Sequence, residues 1–193
     1  QVMVHSMYTR GVEKKPLDVA WVTQLTSDRL RTLELMLERW SGPVTVALYC
    51  RNLTQDLAAV EHLVHRVDFH LVLADMSPHR PYPVNSLRNV GIELARAEWV
   101  AVCDADFVPN EGVYEYILAQ LPAWEAAPPS VYVVPALQAP PHVGLPRSKQ
   151  ELVARWGEVS QVHPEEGRRE AHAQTDYERW RGAEELYEVK YKM

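Results

Sequence analysis

Scarcity is the first guide to this sequence. Two cysteines occur in 193 residues, Cys50 and Cys103, and each ends an apolar run. They read as buried thiols and not as a disulfide framework, which leaves the redox compartment undecided. No stretch reaches the ~18 apolar residues of a membrane span, and Gln1 to Lys15 holds no apolar core of a signal peptide. The chain begins with Gln instead of Met, as a processed product or a piece of a longer protein does, so a missing anchor here says nothing of a parent protein. Positive charge is also in deficit: 20 Lys and Arg stand against 26 Asp and Glu, for a formal charge of -6. The bases are scattered, so nucleic acid is not an expected partner. No internal repeat is visible.

What is present is a globular composition, 47% apolar, expected to form one domain over residues 1–193. Leu17 to Leu25 reads as a strand, and Thr26-Ser27-Asp28 supplies cap residues for a helix with Leu30, Leu33, Leu37 and Trp40 at helical spacing. Ser41-Gly42-Pro43 stops it. Val44 to Cys50 is a near-continuous apolar run, as expected of a strand covered on both faces. Asn52 to Arg66 is a second amphipathic helix and Val67 to Leu73 a third strand. Three prolines break Ala74 to Pro83, after which Val84, Leu87, Val90 and Leu94 mark a third helix, with Gly91 a close-packing position within it. A strand over Glu98 to Cys103 follows. Strands alternating with helices of this length predict an α/β fold with a mostly parallel sheet and right-handed crossovers. Further strands are expected at Ser130 to Ala136 and Leu186 to Tyr191, and a short helix at Ser148 to Trp156. Gly157 to Gly182, charged and poor in aliphatics, reads as a site-lining loop or linker.

Asp104-Ala105-Asp106 sits at the end of the run Glu98 to Cys103. Alternate residues of a strand point the same way, so the two carboxylates are expected to converge, and converging carboxylates want a cation. The carboxyl end of a strand in an open α/β sheet faces the crevice where such folds bind ligands. Aspartates are also common in turns, where they bond nearby amides. The preceding strand, Phe107-Val108-Pro109 and the helix-like Glu111 to Leu118 favour a metal or phosphate role. Asn52-Leu53-Thr54 is an N-glycosylation sequon, but Asn52 with Gln55 three residues on reads better as a helix N-cap. His62, His65 and His70 lack metal-ligand spacing. Gln24, Thr26 and Asp28 occupy the first strand-to-helix crossover, where nucleotides bind in doubly wound sheets, although Asp28 also fits a helix cap.

Tyr82-Pro83-Val84-Asn85-Ser86-Leu87-Arg88-Asn89-Val90, then Val102 to Pro109 with Gly112-Val113-Tyr114, closely resembles glycosyltransferase family 49, which includes the glucuronyltransferase domain of LARGE-type enzymes. Val22 to Leu30, Trp40 to Pro43, Pro146 to Leu152 and His172-Ala173-Gln174-Thr175-Asp176 with Trp180 match in order and spacing. The resemblance implies a GT-A fold and transfer of a sugar, glucuronic acid as the best specific expectation, from a UDP-sugar to a glycan acceptor. It implies Mn²⁺ (or Mg²⁺) on Asp104 and Asp106, and a Golgi-lumenal location with membrane attachment only through an anchor that this chain lacks. Arg88 and Asn89 are expected to contact the donor or steady the aspartates. His172, Thr175 and Asp176 are assigned to the sugar or acceptor side. The catalytic base cannot be named from the sequence.

Two other readings compete. Asp104-Ala105-Asp106-Phe107-Val108 also fits a haloacid-dehalogenase-type phosphatase, but that chemistry needs a lysine and a downstream acidic pair. After Asp106 the only aspartate is Asp176, and Glu165-Glu166 lies in a polar stretch. The other is a transferase remnant that holds nucleotide or glycan without turnover. The family continues past Met193 through further strands and a histidine-bearing segment that helps complete the metal site. The chain is therefore expected to be truncated at its C-terminus, binding nucleotide better than it transfers sugar.

Overall fold

The computed structural model describes residues 4–6, 13–74, 81–140, 144–161 and 175–189. The chain divides into two compact units, Gln1–Ala127 and Pro128–Met193.

The first unit is built on a five-stranded sheet. Its strands are β1 (Val4–Ser6), β2 (Lys15–Leu25), β3 (Val44–Cys50), β4 (Asp68–Leu73) and β5 (Ala97–Val102), in spatial order β1-β4-β3-β2-β5. Strands β4, β3, β2 and β5 run parallel, and β1 adds an antiparallel edge with Val4 opposite Val72. The connections are α1 (Leu30–Leu37), α2 (Leu53–Val60), α3 (Val84–Leu94) and, after β5, α4 (Val113–Glu125). Every residue of β3 is buried, as a strand with helices on both faces must be. One face packs Trp21, Leu25, Val46, Leu48 and Phe69 against Leu33 and Met36 of α1, with Ile117 and Leu118 of α4. The other packs Ala20, Val22, Ala47, Tyr49 and Val72 against the region of α3, through Leu87, Val90 and Ile92. Small side chains on this face let α3 lie close: a Cβ at Gly91 would come 2.6 Å from Val22 Cγ1. No helix among the described residues is long and apolar enough to cross a membrane, and both cysteines are free.

The second unit holds β6 (Leu137–Gln138) paired antiparallel with β7 (Ser160–Gln161), and two short helices, α5 (Lys149–Ala154) and α6 (Tyr177–Gly182). Ser148 caps α5 by accepting from Glu151 N–H, and Asp176 caps α6 by accepting from Arg179 N–H. The Tyr177 hydroxyl donates to Ala136 O at 2.9 Å, and Lys149 Nζ stands 4.7 Å over the Trp180 ring.

Several expectations need correction. Ser130 to Ala136 is not a strand: Val131, Val133 and Val134 are exposed, and pairing begins only at Leu137. Valine-rich alternation supplies the propensity for a strand, but not a ladder partner, and Pro135 removes one donor. Leu186 to Glu188 and Val189 are irregular, because Arg179 draws the segment back: its guanidinium stacks 4.0 Å over Tyr187 and donates to Glu188 O at 3.4 Å. Lys190 and Tyr191 lie outside the described residues. The helix expected to reach Arg66 ends at Val60 and tightens into a 3₁₀ turn, Glu61–Leu63. Thr26-Ser27-Asp28 does not cap α1, since a 3₁₀ turn over Ser27–Arg29 intervenes and Arg29 becomes the N-cap without side-chain help. Asn52 does cap α2, accepting from Gln55 N–H at 3.2 Å.

Candidate active site

Strands β2, β3 and β4 are laid down in one direction across the sheet, and β5 is placed on the other side of β2. The order therefore reverses between β2 and β5. In open α/β sheets the crevice beyond the carboxyl ends of the strands at such a reversal is where ligands bind. At this end stand Gln24, in the last two residues of β2, then Thr26 to Asp28 beyond it, and Cys103 to Asp106 beyond β5.

Gln24 is buried, and the Tyr82 hydroxyl donates to its Oε1. Tyr82 precedes α3 and meets Tyr49 edge-on, with ring centroids 5.3 Å apart. Burial, helped by Tyr49 and the carboxylates of Asp104 and Asp28, pushes the Tyr82 hydroxyl up to about 12, so it is a neutral donor. The Thr26 hydroxyl donates to Asp28 Oδ1, and this bond holds the Asp28 carboxyl below the usual carboxylate range. A neutral phenol and an ionised carboxylate thus face the same mouth.

Cys103 N–H still donates to Val22 O at 3.0 Å, after which the chain turns, with Phe107 N–H closing on Asp104 O at 3.2 Å. Asp104 and Asp106 are therefore presented by a turn, not by the pleat of a strand, and the expected convergence through strand alternation does not apply. The turn still keeps both residues at the carboxyl end of the sheet, with Asp106 exposed and the Asp104 side chain 44% exposed. Arg88, one turn into α3, places Nη2 2.5 Å from Asp104 Oδ1. Asn89 is exposed beside it. Burial first, then the Asp104 charge, pushes the Cys103 thiol up to about 12, which keeps it neutral.

As a donor set, two carboxylates in a mouth open to solvent offer hard oxygens to a divalent ion. Among the described residues no third His, Cys, Asp or Glu joins them. Such a pair suits an ion of the Mg²⁺ type, which takes one or two carboxylates and completes its shell with phosphate oxygens and water.

Gln24, Thr26, Asp28, Arg88, Asn89, Asp104 and Asp106 all belong to the first unit. Thr175 and Asp176 belong to the second, where Asp176 Oδ1 is engaged as the α6 cap at 3.0 Å. His172 lies outside the described residues. Tyr82 and Asp56 are features of this end of the sheet to which the sequence reading gave no role. Asp56 is a buried acid at i−4 from the buried Val60, and a charge on the apolar stripe of a helix is a signal open to sequence. A cavity of about 500 Å³ at the amino ends of the strands is lined by Lys15, Asp18, Arg66, Arg96 and Tyr114, among others. There Lys15 pairs with Asp18 at 2.9 Å, while Arg96 pairs with Asp68 at 2.9 Å.

A family model described as glycosyl-transferase for dystroglycan matches residues 66–192. The human xylosyl- and glucuronyltransferase LARGE2 is 35% identical over 191 residues, covering 92% of this chain and 26% of that protein. Human LARGE1 is 30% identical over 186 residues, covering 91% and 24%. The glycosyltransferase-like protein gnt13 of Dictyostelium discoideum is 36% identical over 110 residues, covering 51% and 17%. The chain thus spans about a quarter of the length of the LARGE relatives it matches. Among solved structures, S. aureus TarS 1–349 aligns over 56% of this chain and 33% of that one, at 17% identity and a TM-score of 0.43.

Proposed function

Since the chain belongs to the family of glycosyl-transferases for dystroglycan, we propose that it binds a UDP-sugar at the carboxyl end of its sheet and passes the sugar to a glycan acceptor. The observation that carries this reading is the placement of Asp104 and Asp106 on the turn after β5, across the order reversal from the β2 crossover with Gln24, Thr26 and Asp28. Asp104 and Asp106 would hold Mn²⁺ or Mg²⁺. A hard divalent ion there supplies charge neutralisation for the diphosphate of the departing UDP. Arg88 steadies Asp104 by its ion pair and brings a further positive charge to the anionic part of the donor. Gln24, Thr26 and Asp28 face the nucleoside, with Tyr82 fixing the Gln24 amide. Glucuronic acid is the sugar we favour, because the relatives are named xylosyl- and glucuronyltransferases. A Golgi-lumenal location goes with that assignment. The family also speaks against the phosphatase alternative.

Calorimetry of the chain with Mn²⁺ and UDP, each with and without the other, tests the reading. UDP binding is expected to depend on the metal and to be lost in Asp104→Asn and Asp106→Asn, because an amide keeps the shape but not the charge that a hard cation needs. Asp106→Asn binding Mn²⁺ and UDP as tightly as the parent would overturn the assignment. Release of phosphate from p-nitrophenyl phosphate, lost in Asp104→Asn, would favour the phosphatase.

A further inference from the structure

We propose that Asp56 is a positioning residue of this site: its buried carboxylate fixes the β2–α1 crossover against the β3–α2 crossover and so sets the geometry that a nucleotide meets. The inference rests on the reading that the β2 crossover contacts the donor. Asp56 lies in the first turn of α2 and is 7% exposed. Its Oδ1 accepts from the Ser27 hydroxyl at 2.5 Å, and its Oδ2 accepts from Arg51 N–H at 2.9 Å and Asn52 N–H at 3.0 Å. Three donors from two loops satisfy a group that is costly to bury unsatisfied.

Ser27 stands between Thr26 and Asp28, which are bonded to each other at the mouth. Its own backbone support is slight. The turn over Ser27–Arg29 is 3₁₀, closed by Arg29 N–H on Thr26 O at 3.0 Å, and neither Thr26 nor Arg29 caps a helix with its side chain. Short 3₁₀ turns have poor hydrogen-bond geometry and hold their shape through outside contacts. The Ser27 to Asp56 bond spans 29 positions and is such a contact. Arg51 and Asn52 leave β3, so the carboxylate references the crossover to the fully buried central strand. A loop held in this way meets its ligand with less ordering to do on binding.

The test compares the parent chain with Ser27→Ala, which removes only the cross-loop bond, Ser27→Thr, which keeps a hydroxyl, and Asp56→Asn. Hydrogen exchange is read first, without ligand. Ser27→Ala is expected to exchange about tenfold faster at the amides of residues 27–30, as loss of one hydrogen bond to a charged group allows, with β3 unchanged. Calorimetry is read second. UDP affinity in Mn²⁺ should fall about tenfold in Ser27→Ala and more in Asp56→Asn, be regained in Ser27→Thr, and leave binding of Mn²⁺ alone unaltered, since the metal carboxylates are untouched. Unchanged exchange in Ser27→Ala overturns the tie. Faster exchange with parent-like UDP affinity makes the tie merely structural and overturns the positioning role. A parent chain that binds no UDP overturns the nucleotide reading, and the positioning role with it, while leaving the exchange result standing.

Discussion

At the scale of single residues, Arg88 Nη2 holds the Asp104 carboxylate at 2.5 Å on the turn that begins where β5 ends, at Val102. Asp104 and Asp106 stand out in the sequence by their spacing and by the apolar run before them. The pleat invoked to make them converge ends two residues earlier, at Val102, and a turn does the work. Asp18 shows the opposite case. Nothing marks it as special, yet it is 1% exposed and fully engaged: Lys15 Nζ of its own strand donates at 2.9 Å, and the Tyr114 hydroxyl, 96 positions away, at 2.8 Å. Burial raises its pKa, and these hydrogen bonds outweigh that and hold it below its ordinary value. Tyr114 is further fixed edge-on to Trp40, with centroids 5.0 Å apart, and its ring lies against Gly42, where an added Cβ would collide with it. Gly42→Ala is therefore expected to destabilise the fold by about 2 kcal/mol, within the range for overpacking a fixed neighbour. Urea unfolding measures it. A change under about 0.5 kcal/mol, typical of unconstrained surface sites, would show that the ring can move aside.

At the scale of elements, burial periodicity was the dependable signal. The bounds of β3 and α3 follow directly from the run Val44 to Cys50 and from the stripe Val84, Leu87, Val90 and Leu94, because each pattern states how many faces are covered. Pairing is less legible. Strand β1 is three residues long and is defined by its pairing with β4, while Val131 to Val134 has the strand composition but forms no strand. Strand β4 also carries a titration consequence. His70 is buried, and burial lowers its pKa, with Arg96 adding to the fall and Asp68 opposing it. Above its ordinary value of 6.5 the imidazole is neutral in folded and unfolded chains alike and contributes no slope. Below 6.5 the unfolded chain takes up a proton that the folded chain resists, so stability should fall as pH drops towards the folded pKa. Melting temperatures from pH 7.5 to 5 should decline in the parent and decline less steeply in His70→Gln. Equal slopes would mean that His70 is not the group responsible.

At the scale of the whole molecule, the α/β architecture was legible because alternating strand and helix periods admit few topologies, whereas the division into units 1–127 and 128–193 left no comparable mark in the sequence. The candidate site draws its groups from the ends of β2 and β5 and from the start of α3, elements separated by about 80 positions that meet only when the sheet is assembled. A ligand that needs this meeting binds the folded state alone and stabilises it by mass action. At UDP and Mn²⁺ concentrations about 100 times the dissociation constant the gain is about 2.7 kcal/mol. For a unit of this size that corresponds to a rise of roughly 5–15 °C in melting temperature. UDP-glucuronic acid with Mn²⁺ should produce a shift of this size in the transition of the first unit, and p-nitrophenyl phosphate with Mn²⁺ a much smaller one, since a monoester lacks the nucleoside that the proposed function brings to Gln24, Thr26 and Asp28. Scanning calorimetry of the parent and of Asp106→Asn separates the possibilities. A shift retained in Asp106→Asn would place the nucleotide away from the two aspartates, and equal shifts from both ligands would remove the nucleoside from the account of the site.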